Sequence, residues 1–288
     1  MTLYNMKGVS IMGLGFVGSA MKQSFEEKGC DVLGYDKYKI SDKFVDCLQN
    51  NIIFLALPTI YDETKHEYDK SCIIEVCTDL TANDYNGLVV IKSTVEPTTT
   101  KELSKMFPHL KLIHNPEFLT AATAYEDFHN QKHVVLGKGP NVTHEDIVIL
   151  EDFYKELYPT AEMSHCNSTE SESMKSFVNC FYSVKIQFFN ELYLLCNANN
   201  CDYNTVKELM LKNKWINPMH TQVPGVDGQL SYGGYCFPKD TNALLQFMKR
   251  SGTPSKVLEA TIEERNIMRS DNVNVKKLVV DDTVSNTI

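Results

Sequence analysis

Val9-Ser10-Ile11-Met12 runs straight into Gly13-Leu14-Gly15-Phe16-Val17-Gly18, and the fold turns on how that junction is read. The first four residues have the pattern of a short buried strand, and the stretch from Phe16 to about Lys28 reads as a helix. Between them each glycine has its own task. Gly13 makes the tight turn, Gly15 lets a pyrophosphate approach the backbone, and Gly18 allows close packing of helix on strand, while the helix N-terminus offers free N–H groups to phosphate. A second strand over 31–35 ends at Asp36, about 20 residues beyond the glycines, where the acid for the adenosine ribose belongs. Its carboxylate can accept from both ribose hydroxyls and would repel a 2′-phosphate. NAD is therefore expected over NADP, with the basic neighbour Lys37 as the contrary feature.

Outward from this junction, strand patterns recur at 51–57, 88–91 and 112–114, with helical stretches between them, and 134–137 and 161–163 complete the set. Alternation of this kind gives a parallel, doubly wound sheet. Such sheets bind ligands outside the carboxyl ends of their strands. At those ends stand Pro58 and Thr59, Ser93 and Thr94, and Asn115-Pro116-Glu117-Phe118-Leu119. Each has a plain alternative: Thr94 as a helix cap before Pro97, and Glu117 as a solvated first-turn residue after a proline.

The pattern changes at Thr169-Glu170-Ser171-Glu172, which reads as a capping box opening a helix that runs without Gly or Pro to about Asn197. Lys175 and Asn179, four apart, project from one face of it. On spacing alone Lys175 is a solvated residue paired with Glu172, with Phe177, Phe181, Phe188 and Leu192 packing elsewhere. Further helical patterns follow near 203–212, 241–250 and 254–269. The expected fold class is α/β: a Rossmann-like doubly wound parallel sheet over 1–166, an all-helical domain over 167–269 joined by the long connecting helix, and a short polar tail over 270–288.

A second chemical signal is Gly233-Gly234-Tyr235-Cys236-Phe237-Pro238-Lys239-Asp240. The glycines permit positive φ and close approach of a substrate, Pro238 stiffens the turn, and Lys239 can favour the thiolate that attacks carbonyl carbon. A cysteine taken blindly is a buried, inert apolar residue; these neighbours raise Cys236 above that. The 288 residues are 43% hydrophobic and 23% charged, with a net charge of -9, which argues against a nucleic-acid surface. No apolar run reaches the ~20 residues of a membrane span, and the first residues lack signal-peptide architecture. Nine cysteines without paired spacing suggest reduced thiols, no metal cluster and a cytoplasmic protein.

Together these stretches resemble the UDP-glucose/GDP-mannose dehydrogenase family, most closely its UDP-glucose-oxidising members, from about Val9 to Arg269. The resemblance rests on Gly13 to Gly18, Lys92-Ser93-Thr94-Val95, Asn115 to Leu119, the helix start with Lys175 and Asn179, Phe189-Asn190-Glu191, and Gly233 to Asp240. It implies oxidation of the C6 alcohol of a nucleotide sugar to the carboxylate with reduction of two NAD, the sugar being that of UDP-glucose or, alternatively, GDP-mannose. By the same resemblance Cys236 carries a thiohemiacetal and then a thioester, Lys175 and Asn179 stabilise the oxyanion, Asp240 activates a water, and Glu117 and Thr94 position the hydrolytic water. Pro58, Thr59, Thr94 and Lys239 join Gly13, Gly15, Phe16, Val17, Gly18 and Asp36 at the cofactor. Glu117, Phe118, Leu119, Lys175, Asn179, Tyr232 and Gly233 are the implied substrate contacts, and a homodimer is the implied assembly. Two departures stand out. Thr120-Ala121 replaces a glutamate usual in the family, and the sequence given stops soon after Arg269, where the family continues into a nucleotide-binding domain. The expectations are therefore a core supplied with that domain by a separate chain, or a truncated NAD-binding relative with little turnover.

Overall fold

A computed structural model describes residues 8–269; the tail expected over 270–288 lies outside the described residues. The chain divides into two compact units, one of residues 8–59 and 69–175, the other of residues 60–68 and 176–269.

The first unit is built on seven strands: β1 (Val9–Met12), β2 (Val32–Tyr35), β3 (Ile52–Leu55), then, after the short pair β4 (Tyr61–Asp62) and β5 (Glu67–Tyr68) of the other unit, β6 (Leu88–Ile91), β7 (Lys111–His114), β8 (His133–Lys138) and β9 (Glu162–Asn167). They lie in the order β2-β1-β3-β6-β7-β8-β9. The connecting helices are α1 (Phe16–Glu27), α2 (Phe44–Cys47), α3 (Ser71–Ala82), α4 (Thr99–Met106), α5 (Ala124–His129) and α6 (His144–Leu157). Because side chains alternate along a strand, each central strand feeds two cores. Ile52, Phe54, Leu88 and Val90 pack with Phe25, Phe128, Phe153 and Tyr154 on one face. Ile53, Leu55, Val89 and Ile91 pack with Ile73, Cys77, Leu80 and Leu103 on the other. The doubly wound sheet is thus as expected, with one difference. β8 runs antiparallel to β7, and β9 parallel to β8. To start a parallel strand the chain must return across the depth of the sheet, and the only α-helix between β7 and β8 is the six-residue α5, about 9 Å long.

α7 (Ser168–Ala198) leaves the end of β9 without a loop. Its capping box is not the one expected. Asn167 and Glu170 are the reciprocal pair: the Asn167 N–H donates to Glu170 Oε2 at 2.8 Å, and the Glu170 N–H donates to Asn167 Oδ1 at 3.0 Å. Thr169 lies inside the helix, and Glu172 turns inward to cap α4. The carboxylate of Glu172 accepts from the N–H groups of Thr98 and Thr100, each at 2.7 Å, holding Thr98 at a positive φ of 80°. Burial raises its pKa from 4.5 to about 7. An acid that holds its proton more tightly folded than unfolded stabilises the fold at low pH, and that contribution is lost as pH rises from 4.5 through 7. Glu172→Gln, neutral throughout, should gain about 3 kcal/mol on the wild type across this window. Urea unfolding of both proteins at pH 4.5 and pH 7 measures it, and parallel pH profiles would contradict the assignment.

The second unit holds the rest of α7, α8 (Tyr203–Leu211), α9 (Phe237–Arg250), α10 (Lys256–Met268) and the hairpin of β4 and β5. Cys180, Leu244, Leu245, Leu258 and Ile262 form one of its cores, and Phe189, Cys196, Tyr203 and Val223 another.

Candidate active site

At the end of β1, Gly13 takes φ 93°, and a side chain on Gly18 would stand 1.9 Å from the Gly13 carbonyl oxygen, so α1 approaches the turn as the spacing requires. Gly15 is the N-cap of α1, with no side-chain cap and open space where its Cβ would be. That combination leaves the first N–H groups of α1 accessible to a pyrophosphate, and the residues present fit the cofactor. Asp36 is fixed beside them: its Oδ2 accepts from the Leu14 N–H at 2.8 Å and its Oδ1 from the Tyr38 N–H at 2.9 Å. Lys37, the possible 2′-phosphate ligand, pairs instead with Glu75 at 2.6 Å. Phe16 is exposed and Val17 half-buried.

Along the same edge the strand ends are tied together. Thr59 donates to the Thr94 carbonyl at 2.7 Å, and Ser93 to the Leu57 carbonyl at 2.7 Å, while Pro58 is exposed. Thr94 is not the cap of α4, since Glu172 fills that role. Beyond β7, Glu117 is buried at 8% exposure; its Oε2 accepts from the Leu119 N–H at 2.6 Å and its Oε1 lies 3.1 Å from the Lys175 ammonium. The solvated reading of Lys175 is overturned: it is 4% exposed, its partner is Glu117 and not Glu172, and its ammonium lies 5.5 Å from the centre of the half-exposed Phe118 ring. Thr120 and Ala121 are exposed at a short 3-10 turn.

Lys92, assigned no role from the sequence, underlies this group. It is fully buried, donating to Asn115 Oδ1 at 2.9 Å and to the Pro116 carbonyl at 3.2 Å, and burial pushes its pKa down to about 7. Tyr154 donates to the same Asn115 oxygen at 2.5 Å. His114, bonded to Ser171 at 2.8 Å, is driven to about 3 by burial and so stays neutral.

In the second unit, Cys236 is the N-cap of α9, half-buried, and Asp240 follows one turn on, its N–H donating to the Cys236 carbonyl at 3.0 Å. Asp240 is 1% exposed and accepts from three sides: Asn179 Nδ2 at 2.6 Å, the Tyr68 hydroxyl, and Lys239 Nζ at 2.5 Å. Tyr68 reaches Asp240 only because the hairpin packs on α9, a contact across 172 positions of sequence with no local signal. The two glycines divide their expected tasks. Gly234 takes φ 76°, whereas Gly233 makes room for Arg269, whose guanidinium would meet a Cβ there at 2.4 Å. Tyr232 is buried, its carbonyl accepting from Arg265 at 3.1 Å. Elsewhere in the chain, burial lifts the Cys47 thiol to about 11 and the Cys77 thiol to about 12.

Comparison with known proteins finds two family matches along the chain. Residues 37–158 match the NAD-binding domain, and residues 169–266 the central domain, of the UDP-glucose/GDP-mannose dehydrogenase family. The chain belongs to that family, and NAD is the cofactor of its first domain. It is 28% identical to UDP-glucose 6-dehydrogenase TuaD of Bacillus subtilis, over 90% of this chain and 62% of that one. It is 25% identical to UDP-glucose 6-dehydrogenase AglM of Haloferax volcanii, over 88% and 68%. The fold matches that of a UDP-glucose dehydrogenase from Pyrobaculum islandicum with a TM-score of 0.81 at 24% identity, over 93% of this chain and 70% of that one. The chain thus spans about two thirds of the length of these relatives.

Proposed function

We propose that the protein oxidises the C6 alcohol of a nucleotide sugar, UDP-glucose, to the carboxylate through a thiohemiacetal and a thioester on Cys236. The observation that carries this reading is the convergence, within one unit, of Cys236, a buried carboxylate one helical turn away and the amide of Asn179 on that carboxylate. NAD, when bound, accepts a hydride in each of the two oxidations. Asp240 takes up protons as the alcohol and then the thiohemiacetal are oxidised, its carboxylate held in place by Asn179 and Tyr68. Cys236 adds to the C6 aldehyde, and Lys175 and Asn179 supply a cation and an amide donor for the resulting oxyanion. Glu117, with Thr94, orients the water that cleaves the thioester and returns the thiol. The substrate roles of Phe118, Leu119, Tyr232 and Gly233 and the cofactor roles of Pro58, Thr59, Thr94 and Lys239 belong to the same proposal. The test is the ratio of NADH formed to UDP-glucose consumed: two supports the four-electron reaction, one a simple alcohol dehydrogenase, and none a relative that binds NAD without turnover.

The proposed assembly is a homodimer. Phe177, Phe181, Phe188 and Leu195 are exposed, at 55%, 63%, 53% and 58%, and at about 100° per residue they fall on one stripe of α7. Sedimentation at micromolar concentration should give twice the 32.7 kDa chain mass; a monomer there, or a Phe181→Asp variant that sediments unchanged, removes the proposal. Among the described residues no helix is long and apolar enough to cross a membrane, and the proposed location is the cytoplasm.

A further inference from the structure

Outside the residues given to the reaction, one pair of cysteines is brought together by backbone geometry. Cys196 lies in the last turn of α7, and the chain leaves the helix through Asn199 and Asn200, the latter at a positive φ of 53°. This reversal lets the Cys201 N–H donate to the Cys196 carbonyl at 3.0 Å, with the Asn199 N–H on the same oxygen at 3.2 Å. A bond of that length caps the separation of the two α-carbons at about 7 Å, less for any bend in the path. Disulfides span α-carbons about 4.4–6.8 Å apart. The exposures of the two cysteines differ in the way a redox pair needs: Cys201 is open to solvent, whereas Cys196 is 7% exposed and packed with Phe189, Tyr203 and Val223. Asp202, next in the chain, is occupied in capping α8 through the N–H groups of Asn204 and Thr205.

We propose that Cys196 and Cys201 form a redox-sensitive dithiol that a peroxide converts to an intrachain disulfide, locking the corner between α7 and α8. Cys201 is the thiol that solvent reaches. Its sulfur attacks a peroxide oxygen, breaking the O–O bond and becoming a sulfenic acid as one water leaves. The Cys196 sulfur then attacks the sulfenyl sulfur; the S–O bond breaks, the S–S bond forms and a second water departs. Two thiols and one hydrogen peroxide give one disulfide and two waters. The backbone hydrogen bond already holds the two residues together.

Trypsin cleavage after Lys185 and Lys207 releases residues 186–207, which contain these two cysteines and no other. The full chain is treated with hydrogen peroxide, the remaining thiols are alkylated, and the peptide is weighed. The expected result is loss of two hydrogens from most of the peptide, no alkylation at either site, and restoration by dithiothreitol. Cys201→Ser should abolish the hydrogen loss and leave Cys196 open to alkylation after denaturation. A peptide that keeps both thiols, one in which Cys201 instead gains two or three oxygens, or a disulfide joining two chains would each overturn the proposal. The oxidation is read on the peptide itself, so its outcome is independent of whether the protein turns over UDP-glucose.

Discussion

Cys236→Ser is expected to lower the rate of NADH formation from UDP-glucose by at least about 10³-fold, in line with removal of the nucleophile from other covalent enzymes. Serine keeps the size of the side chain and its place at the start of α9, so the backbone bond from Asp240 to residue 236 and the Asn179–Asp240 contact should persist. The chemistry is what changes. A hydroxyl adds to an aldehyde less readily than a thiol, and the ester formed by the second oxidation hydrolyses more slowly than a thioester. The first oxidation needs no nucleophile, so any residual turnover should give close to one NADH per sugar. A serine variant that still made two NADH at the wild-type rate would remove Cys236 from the reaction, while leaving the NAD-binding unit untouched. A parallel measurement of NAD binding separates that case from misfolding: the variant should bind NAD as the wild type does, because Gly13, Gly15 and Asp36 belong to the other unit.

Local chemistry was legible in the sequence, and long-range chemistry was not. The glycine turn and Asp36 could be read because a strand, a phosphate-binding turn and a helix must follow one another within about 30 residues. Cys236 and Asp240 could be read because one helical turn links them. The inward turn of Glu172 could not, because Thr169-Glu170-Ser171-Glu172 and Asn167-Ser168-Thr169-Glu170 both offer a polar cap three residues before an acid. The end of β9 at Asn167 selects the second. Pairing of Lys175 with Glu172 was the simplest local guess for the same reason. Its true partner, Glu117, lies 58 positions earlier on the far side of two strands and two α-helices. The reversal of β8 depends on the length of the helix before it, which propensity does not fix to within a turn.

Lys92→Met should uncover a large pH-dependent term in the fold and disturb Glu117 at the same time. Burial lowers the pKa of Lys92 from 10.5 to about 7. Between those values the unfolded chain holds a proton that the folded protein has shed, so wild-type stability rises with pH by about 1.4 kcal/mol per unit. The contribution is present above 10.5 and lost as pH falls through 7. Methionine fills a similar volume and does not titrate, so the variant should gain on the wild type as pH falls from 9 to 7, by about 3 kcal/mol. Denaturant unfolding of both proteins at the two pH values reads that difference, and a constant offset would mean that Lys92 does not lose its charge. Function should move the opposite way. Without the ammonium the Pro116 carbonyl loses a donor, and the turn that sets Glu117 against Lys175 loosens. Since Lys92 sits beneath that pair and donates to the turn alone, its removal should lower kcat about 10-fold or more and change KM for NAD little. Lys92→Arg separates position from charge: a guanidinium cannot become neutral in the pocket, so the variant should be destabilised at every pH, whereas methionine spares the fold and costs the reaction.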